Sequence, residues 1–196
     1  NLTIENNAEQ LGQAVALHIE ADRVEILGCR LLGNQDTVYL GKGGYRQYFK
    51  QCYIEGTVDF IFGPSTAWFE DCEIYCKKNS YITAASTPEN IAVGFVFNNC
   101  KITFAPGITK VFLGRPWRAF AHTVFMNCEL GQSIAPEGWD NWRNPDNEKT
   151  ARYAEFNNRG EGSDISKRVA WSRQLTQRAA AELTKEKVLG DFWSAH

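Results

Sequence analysis

The chain reads as all-β, wound as a right-handed parallel β-helix with short C-terminal helices. Three observations predict this: a short pattern recurring five times at coil-length spacing, alternating apolar runs between the copies, and the lack of long helical stripes. The copies are Ile26-Leu27-Gly28-Cys29-Arg30-Leu31, Phe49-Lys50-Gln51-Cys52-Tyr53-Ile54, Phe69-Glu70-Asp71-Cys72-Glu73-Ile74, Phe97-Asn98-Asn99-Cys100-Lys101-Ile102 and Phe125-Met126-Asn127-Cys128-Glu129-Leu130. Each reads apolar-x-x-Cys-x-apolar, usually with a polar or small turn former just before the cysteine. The cysteines are 23, 20, 28 and 28 residues apart, the period of a solenoid whose coils hold a few short strands each. Helical repeats of that length need sustained 3.6-residue stripes. Runs such as Val15-Ala16-Leu17-His18-Ile19 and Thr123-Val124-Phe125-Met126 alternate instead. The crossover rule for parallel strands sets the right hand.

Taken in order, Asn1-Leu2-Thr3-Ile4-Glu5 already reads as a strand, so the chain is expected to begin inside a fold. The coils run on to about residue 135. From Pro136 the repeat fades into a long irregular loop carrying Trp139 and Trp142. Tyr153-Ala154-Glu155-Phe156 reads as one further strand, followed by a turn-rich stretch to Gly162. Thr176 is placed to N-cap a helix reaching Leu183, and Thr184 to cap a second short turn ending before Gly190. These helices are expected to lie against the barrel or cover its end, protecting it from edge-to-edge pairing. The expected organisation is one domain over 1–196: coils in 1–135, loop and last strand in 136–170, and a helical tail in 171–196.

A chain of 196 residues is long enough to bury a real core. A formal net charge of −2 with no basic run argues against a nucleic-acid partner. No apolar stretch is long enough to span a bilayer, and no signal segment is legible. The six cysteines form no Cys-x-x-Cys metal or redox pair. Adjacent parallel strands lie about 4.8 Å apart, and side chains pointing the same way leave the Cβ atoms too far apart to bridge. A ladder of reduced thiols packing as small hydrophobes is expected.

The chemistry centres on two carboxylates. Asp36 lies in Gln35-Asp36-Thr37-Val38-Tyr39 and Asp59 in Gly56-Thr57-Val58-Asp59-Phe60-Ile61-Phe62-Gly63, both rich in strand-favouring residues. A carboxylate there is costly unless exposed, paired or working. Each acid follows a cysteine by seven residues, so both occupy the same place in successive coils. Gln13, Asp36 and Asp59 are spaced by 23 and 23, which would line all three along one surface, with Gln35 as a second amide. Two carboxylates one coil apart cannot both ionise freely, so one should hold its proton above the usual range. That supplies an acid beside a base or nucleophile, while the amides can donate to an oxyanion. Spacing alone equally allows that the two acids finish turns on a solvated face.

Gln13-Ala14-Val15-Ala16-Leu17, Gln35 to Tyr39, Gly56 to Gly63, Leu113-Gly114-Arg115-Pro116-Trp117 and Pro136-Glu137-Gly138-Trp139 closely resemble the signature segments of the pectin methylesterase family. They stand in that family's order, and the likeness extends through most of the chain. The Gly-Thr-Val-Asp-Phe-Ile-Phe-Gly run is the most specific of them. The resemblance implies a right-handed parallel β-helix that hydrolyses the methyl esters of polygalacturonate with no metal or other cofactor. By the same match Asp59 is the nucleophile. Asp36 is the acid that protonates departing methanol and then the base that activates water on the acyl-enzyme. Gln13 and Gln35 stabilise the oxyanion, and Arg115 bonds Asp59. Trp117 and Trp139 stack on sugar rings, with Tyr39 and Phe62 as weaker candidates. The implied partners are methylesterified homogalacturonan and a proteinaceous inhibitor, with a secreted or periplasmic location. The N-terminal third of the family's domain has no counterpart in these residues.

Two other readings stay open: a polygalacturonate depolymerase, since paired acids also cleave glycosidic bonds, and a non-catalytic polysaccharide-binding solenoid. His18, His122 and His196 have no partners spaced for a triad, and no Gly-x-Ser-x-Gly elbow exists.

Overall fold

A computed structural model describes residues 1–8 and 12–190. Its strands stack into three parallel sheets, the arrangement of a parallel β-helix. One six-stranded sheet takes Thr3–Glu5, Arg30–Leu32, Tyr53–Gly56, Glu73–Cys76, Lys101–Phe104 and Glu129–Leu130. A five-stranded sheet takes Leu17–Ile19, Val38–Leu40, Ile61–Gly63, Tyr81–Ala85 and Phe112–Gly114. A seven-stranded sheet takes Val24–Leu27, Arg46–Lys50, Thr66–Glu70, Phe95–Asn98, His122–Met126, Arg152–Phe156 and Arg173–Gln174.

The corner before each cysteine explains the repeat. Gly28, Gln51, Asp71, Asn99 and Asn127 all have left-handed backbone, with φ between 50° and 60° in round terms (60, 52, 53, 54 and 56). That conformation costs a non-glycine residue roughly 1–2 kcal/mol and is tolerated best by Asn and Asp. Here side chains stacked along the corner offset part of the cost: Asn99 donates to Asp71 at 2.7 Å and Asn157 to Asn127 at 2.9 Å. The following cysteine then turns inward. Cys52, Cys72, Cys100 and Cys128 are buried, Cys29 is half-buried, and none is in a disulfide. Their thiols donate to carbonyls of the preceding coil: Cys52 to Ile26, Cys72 to Phe49, Cys100 to Phe69 and Cys128 to Phe97. In the next coil the slot falls to Asn158, whose amide oxygen accepts from the Cys128 N–H at 2.9 Å and whose Nδ2 donates to the Phe125 carbonyl.

Register makes the core. Phe49, Phe69, Phe97 and Phe125 are aligned partners in the seven-stranded sheet, fully buried, with ring centroids 4.7, 4.4 and 4.4 Å apart. The column does not end in another apolar residue. The next aligned position is Glu155, whose side chain is 1 % exposed against 5 % for its partner Arg168. Arg168 binds both carboxylate oxygens, at 2.7 and 3.2 Å, and donates to the carbonyls of Ala135, Pro136 and Gly162. The guanidinium thus ties the last full coil to the start of the 136–145 loop.

The tail differs in part from expectation. Helices α1 (Asn147–Thr150), α2 (Gln177–Ala181) and α3 (Lys185–Leu189) are short; Thr176 and Thr184 cap the last two by accepting from Ala179 and Lys187 N–H. Ala180 and Leu189 pack on Tyr48, Trp68, Val96 and Val124, the outer face of the seven-stranded sheet, so these helices lie against the barrel wall. Ahead of them Arg173–Gln174 adds a strand to that sheet within the stretch expected to be helical. His196 lies outside the described residues. Removing one member of a buried ion pair leaves an uncompensated charge, so Arg168→Ala should lower unfolding stability by about 3–5 kcal/mol. The double change Glu155→Leu with Arg168→Met should recover most of that loss, as read by urea denaturation.

Candidate active site

Two glycines shape the turn that carries Asp59. A Cβ on Gly56 would fall 2.2 Å from Phe60 Cβ, and one on Gly63 would fall 2.2 Å from the Leu40 carbonyl, where φ is also +124°. Between them Asp59 adopts φ 50°, and Asp36 adopts φ 66° one coil earlier. The strands that follow pair Val38 with Ile61, a step of 23 that also aligns Asp36 with Asp59. The backbone continues the ladder: Asp36 N–H donates to Val58, and Asp59 N–H to Tyr81. Both carboxylates are brought to the same cleft of about 160 Å³, with Gln13, Gln35, Phe62, Ala84, Arg115, Trp117 and Trp142.

The two acids receive opposite treatment from their neighbours. Arg115 follows the Phe112–Gly114 strand and reaches back across 56 residues to fork Asp59, Nε to Oδ1 at 3.0 Å and Nη2 to Oδ2 at 2.7 Å. This paired geometry favours the ionised carboxylate. Burial pushes the Asp59 carboxyl above the ordinary carboxylate range while the Arg115 fork pulls it back. Asp36 has no such fork. Burial first, and then the neighbouring Asp59 charge, raise it to about 6. Both carboxyls are thus raised on balance, but only Asp59 is forked by a cation that favours its ionised form, while Asp36 is placed to carry a proton in mildly acidic solution. Such a pair can supply a nucleophile and an acid in one cleft. Among the described residues no group of three or more His, Cys, Asp or Glu side chains is arranged to hold a metal.

The guanidinium itself is enclosed. Its Cζ lies 3.9 Å from the Tyr81 ring centroid and 3.7 Å from that of Trp142. Trp142 departs from the expectation that Trp139 would face the groove. Leu113 N–H donates to Gly138 and Asp140 N–H to Gly114, so Gly138 to Asp140 runs beside the Phe112–Gly114 strand and turns Trp139 inward. Trp139 is 1 % exposed and stacked on Tyr153 at 4.3 Å; it is a core residue and cannot meet a sugar. Trp142, three residues on, lines the cleft in its stead.

The remaining expected residues gather nearby. Tyr39 and Phe62 are aligned partners stacked at 4.7 Å, with His18 4.6 Å beyond Tyr39 and Trp117 edge-on to both at 6.5 and 5.8 Å. They form an aromatic row on the outer face of the five-stranded sheet. Gln13 and Gln35 both line the cleft, and neither side-chain amide bonds another described residue. Their register needs correction: Gln13 bridges Gln35, and Leu17 pairs with Val38. The first coil is thus shorter than the next, and Gln13 faces Gln35, not Asp36. His122 is a structural acceptor for the Gly94 N–H.

Fold and site together define a class: a β-helix solenoid that presents a carboxylate pair, an arginine fork and free amides to an open groove. Within that class the chain belongs to the pectinesterase family, whose model matches residues 1–191. It is 47 % identical over 177 residues to Pectinesterase 31 of Arabidopsis thaliana, covering 89 % of this chain and 55 % of that protein. Pectin methylesterase from carrot superposes with a TM-score of 0.91 at 31 % identity, over 97 % of this chain and 65 % of that one. A pectin methylesterase in complex with a hexasaccharide does so with a TM-score of 0.82 at 32 % identity, over 97 % and 68 %. The chain spans about half the length of the curated relatives it matches.

A carboxyl whose folded pKa of about 6 exceeds its unfolded value binds more protons when folded. Its contribution to stability is present below the unfolded pKa and is lost as pH rises through about 6. Asp36→Asn removes that penalty, so it should raise stability at pH 7 by on the order of 2–3 kcal/mol and change little near pH 3.5. Thermal unfolding of both forms across that range checks it.

Proposed function

We propose that the protein hydrolyses the methyl esters of methylesterified homogalacturonan, giving pectate and methanol through an aspartyl acyl-enzyme. The observation that carries this reading is the Asp59–Arg115 fork beside a raised Asp36, in a chain of the pectinesterase family. Asp59 attacks the ester carbonyl carbon. Asp36 gives its proton to the departing methoxy oxygen, and methanol leaves. Asp36, now a carboxylate, takes a proton from water; the hydroxyl adds to the acyl carbon, and Asp59 departs as a carboxylate. Gln13 and Gln35, with unengaged amides on the cleft, donate to the oxyanion of both tetrahedral intermediates. Trp117, Phe62 and Tyr39 offer apolar faces to the sugar rings, and the hexasaccharide-bound relative supports an oligosaccharide in this groove. A polymeric wall substrate suits a secreted or periplasmic protein, and a proteinaceous inhibitor would reach the site through the same open groove. The free amides, poised for an oxyanion that glycosidic cleavage does not form, favour esterase over depolymerase.

Methanol should be released from methylated pectin, with acidification and no fall in viscosity; a fall in viscosity with new reducing ends would instead identify a depolymerase. Asp59→Asn should abolish turnover while leaving pectin binding largely intact. Arg115→Ala should cut the rate about 10²-fold or more, by misplacing the nucleophile. Because the acid must hold its proton, kcat/KM should fall as pH rises through about 6. A rate that stays flat well into alkaline solution would remove Asp36 from that role.

A further inference from the structure

We propose that Tyr81 is a positioning residue for the acyl-enzyme stage, forming with Trp142 a pair of aromatic jaws that hold the Arg115 guanidinium while Asp59 is uncharged. The inference rests on the esterase reading above. Forming the acyl-enzyme joins an Asp59 oxygen to the ester carbonyl carbon, breaks the bond to the methoxy oxygen and converts Asp59 from a carboxylate to a neutral anhydride. Both fork bonds then lose their anionic acceptor. At the same moment Asp36 has surrendered its proton and become the nearest uncommitted carboxylate of the cleft. An unrestrained guanidinium would be drawn towards it, and an arginine-paired Asp36 is a poor base for the water that must come next. The Asp140 charge still acts on Arg115 but makes no fork with it, so something else has to keep the guanidinium aimed.

The rings do so. Arg115 lies 3.9 Å from one and 3.7 Å from the other, and attraction between a guanidinium and an aromatic face persists whatever the state of Asp59. Each jaw is fixed independently. The Tyr81 carbonyl accepts from the Asp59 N–H at 2.9 Å, and its ring stacks on Phe112 at 5.3 Å. This jaw is therefore referenced to the nucleophile's own backbone. Trp142 donates its N–H to Asp140 Oδ1 at 2.7 Å and sits at φ 60°, followed by Arg143 at 55°. Two successive non-glycine residues in the left-handed region are costly, and the strain is stored at the residue that closes over the guanidinium. Tyr81 is not among the residues lining the cleft; it acts through Arg115.

Tyr81→Phe keeps the ring and Tyr81→Leu keeps apolar bulk without it. On methylated pectin, Phe should retain kcat within about twofold. Leu should lower kcat roughly tenfold with a parallel fall in KM, because deacylation becomes limiting, and methanol should then appear as a pre-steady-state burst. Equal constants for Leu and Phe in an active enzyme overturn the proposal, while no methanol from the unmodified chain overturns the esterase reading. A second measurement is independent of turnover: Asp59→Asn mimics the uncharged stage. Tyr81→Leu should lower Tm by about 2–4 °C more in that background than in the unmodified chain. Equal losses in both backgrounds overturn the role of the jaws.

Discussion

Coil-on-coil hydrogen bonding in fixed register is the constraint on which everything else depends. Parallel partners about 4.8 Å apart place like residues over like residues. The phenylalanine column, the row of inward thiols and the adjacent carboxylates are three expressions of one spacing. Because alternate side chains face opposite ways, a slip of one residue would send the phenylalanines outward and separate the acids. The left-handed corner ahead of each of the five repeat cysteines guards against it, since Asn, Asp and Gly are the residues best able to occupy that position.

Much of this architecture was legible because the corner imposes the same local chemistry on every coil, and identical chemistry leaves a period in the chain. The carboxylate pair was legible for the same reason. Features that depend on which way a loop doubles back left no such mark. Trp139 and Trp142 differ by three positions, and only the pairing of Gly138 to Asp140 with the Phe112–Gly114 strand decides which faces inward. Glu155 reads as an ordinary strand residue until Arg168 folds back onto it. Gln13 was displaced by the unequal lengths of successive coils. Arg173–Gln174 is too short to carry a pattern, and Tyr81 carried no signal beyond its β propensity. Arg115 stood out only through its Leu-Gly-Arg-Pro-Trp setting, since nothing local foretells a bond across 56 residues.

The site shows how little is needed to make two identical side chains unlike. Asp36 and Asp59 share a turn conformation, a depth and a cleft. Burial raises both, and a single guanidinium distinguishes them by forking one and leaving the other without a hydrogen-bonded cation. That asymmetry depends on where Arg115 is held, so the loop delivering Trp142 contributes to the chemistry although it supplies neither acid. Arg168, through the carbonyls of Ala135 and Pro136, anchors the root of that same loop.

The carboxylate at the foot of the ring column also sets the length of the aromatic stack. A stack of identical apolar layers has no intrinsic reason to stop, and a further layer, from this chain or another copy, could in principle be added without limit. Glu155 makes a further ring unfavourable, because one laid over it would have to displace Arg168 and strand a charge in hydrocarbon; the strand that does follow sets the polar Gln174 against it. An uninterrupted apolar column invites stacking against another copy; one ion pair in the right layer is enough to break it.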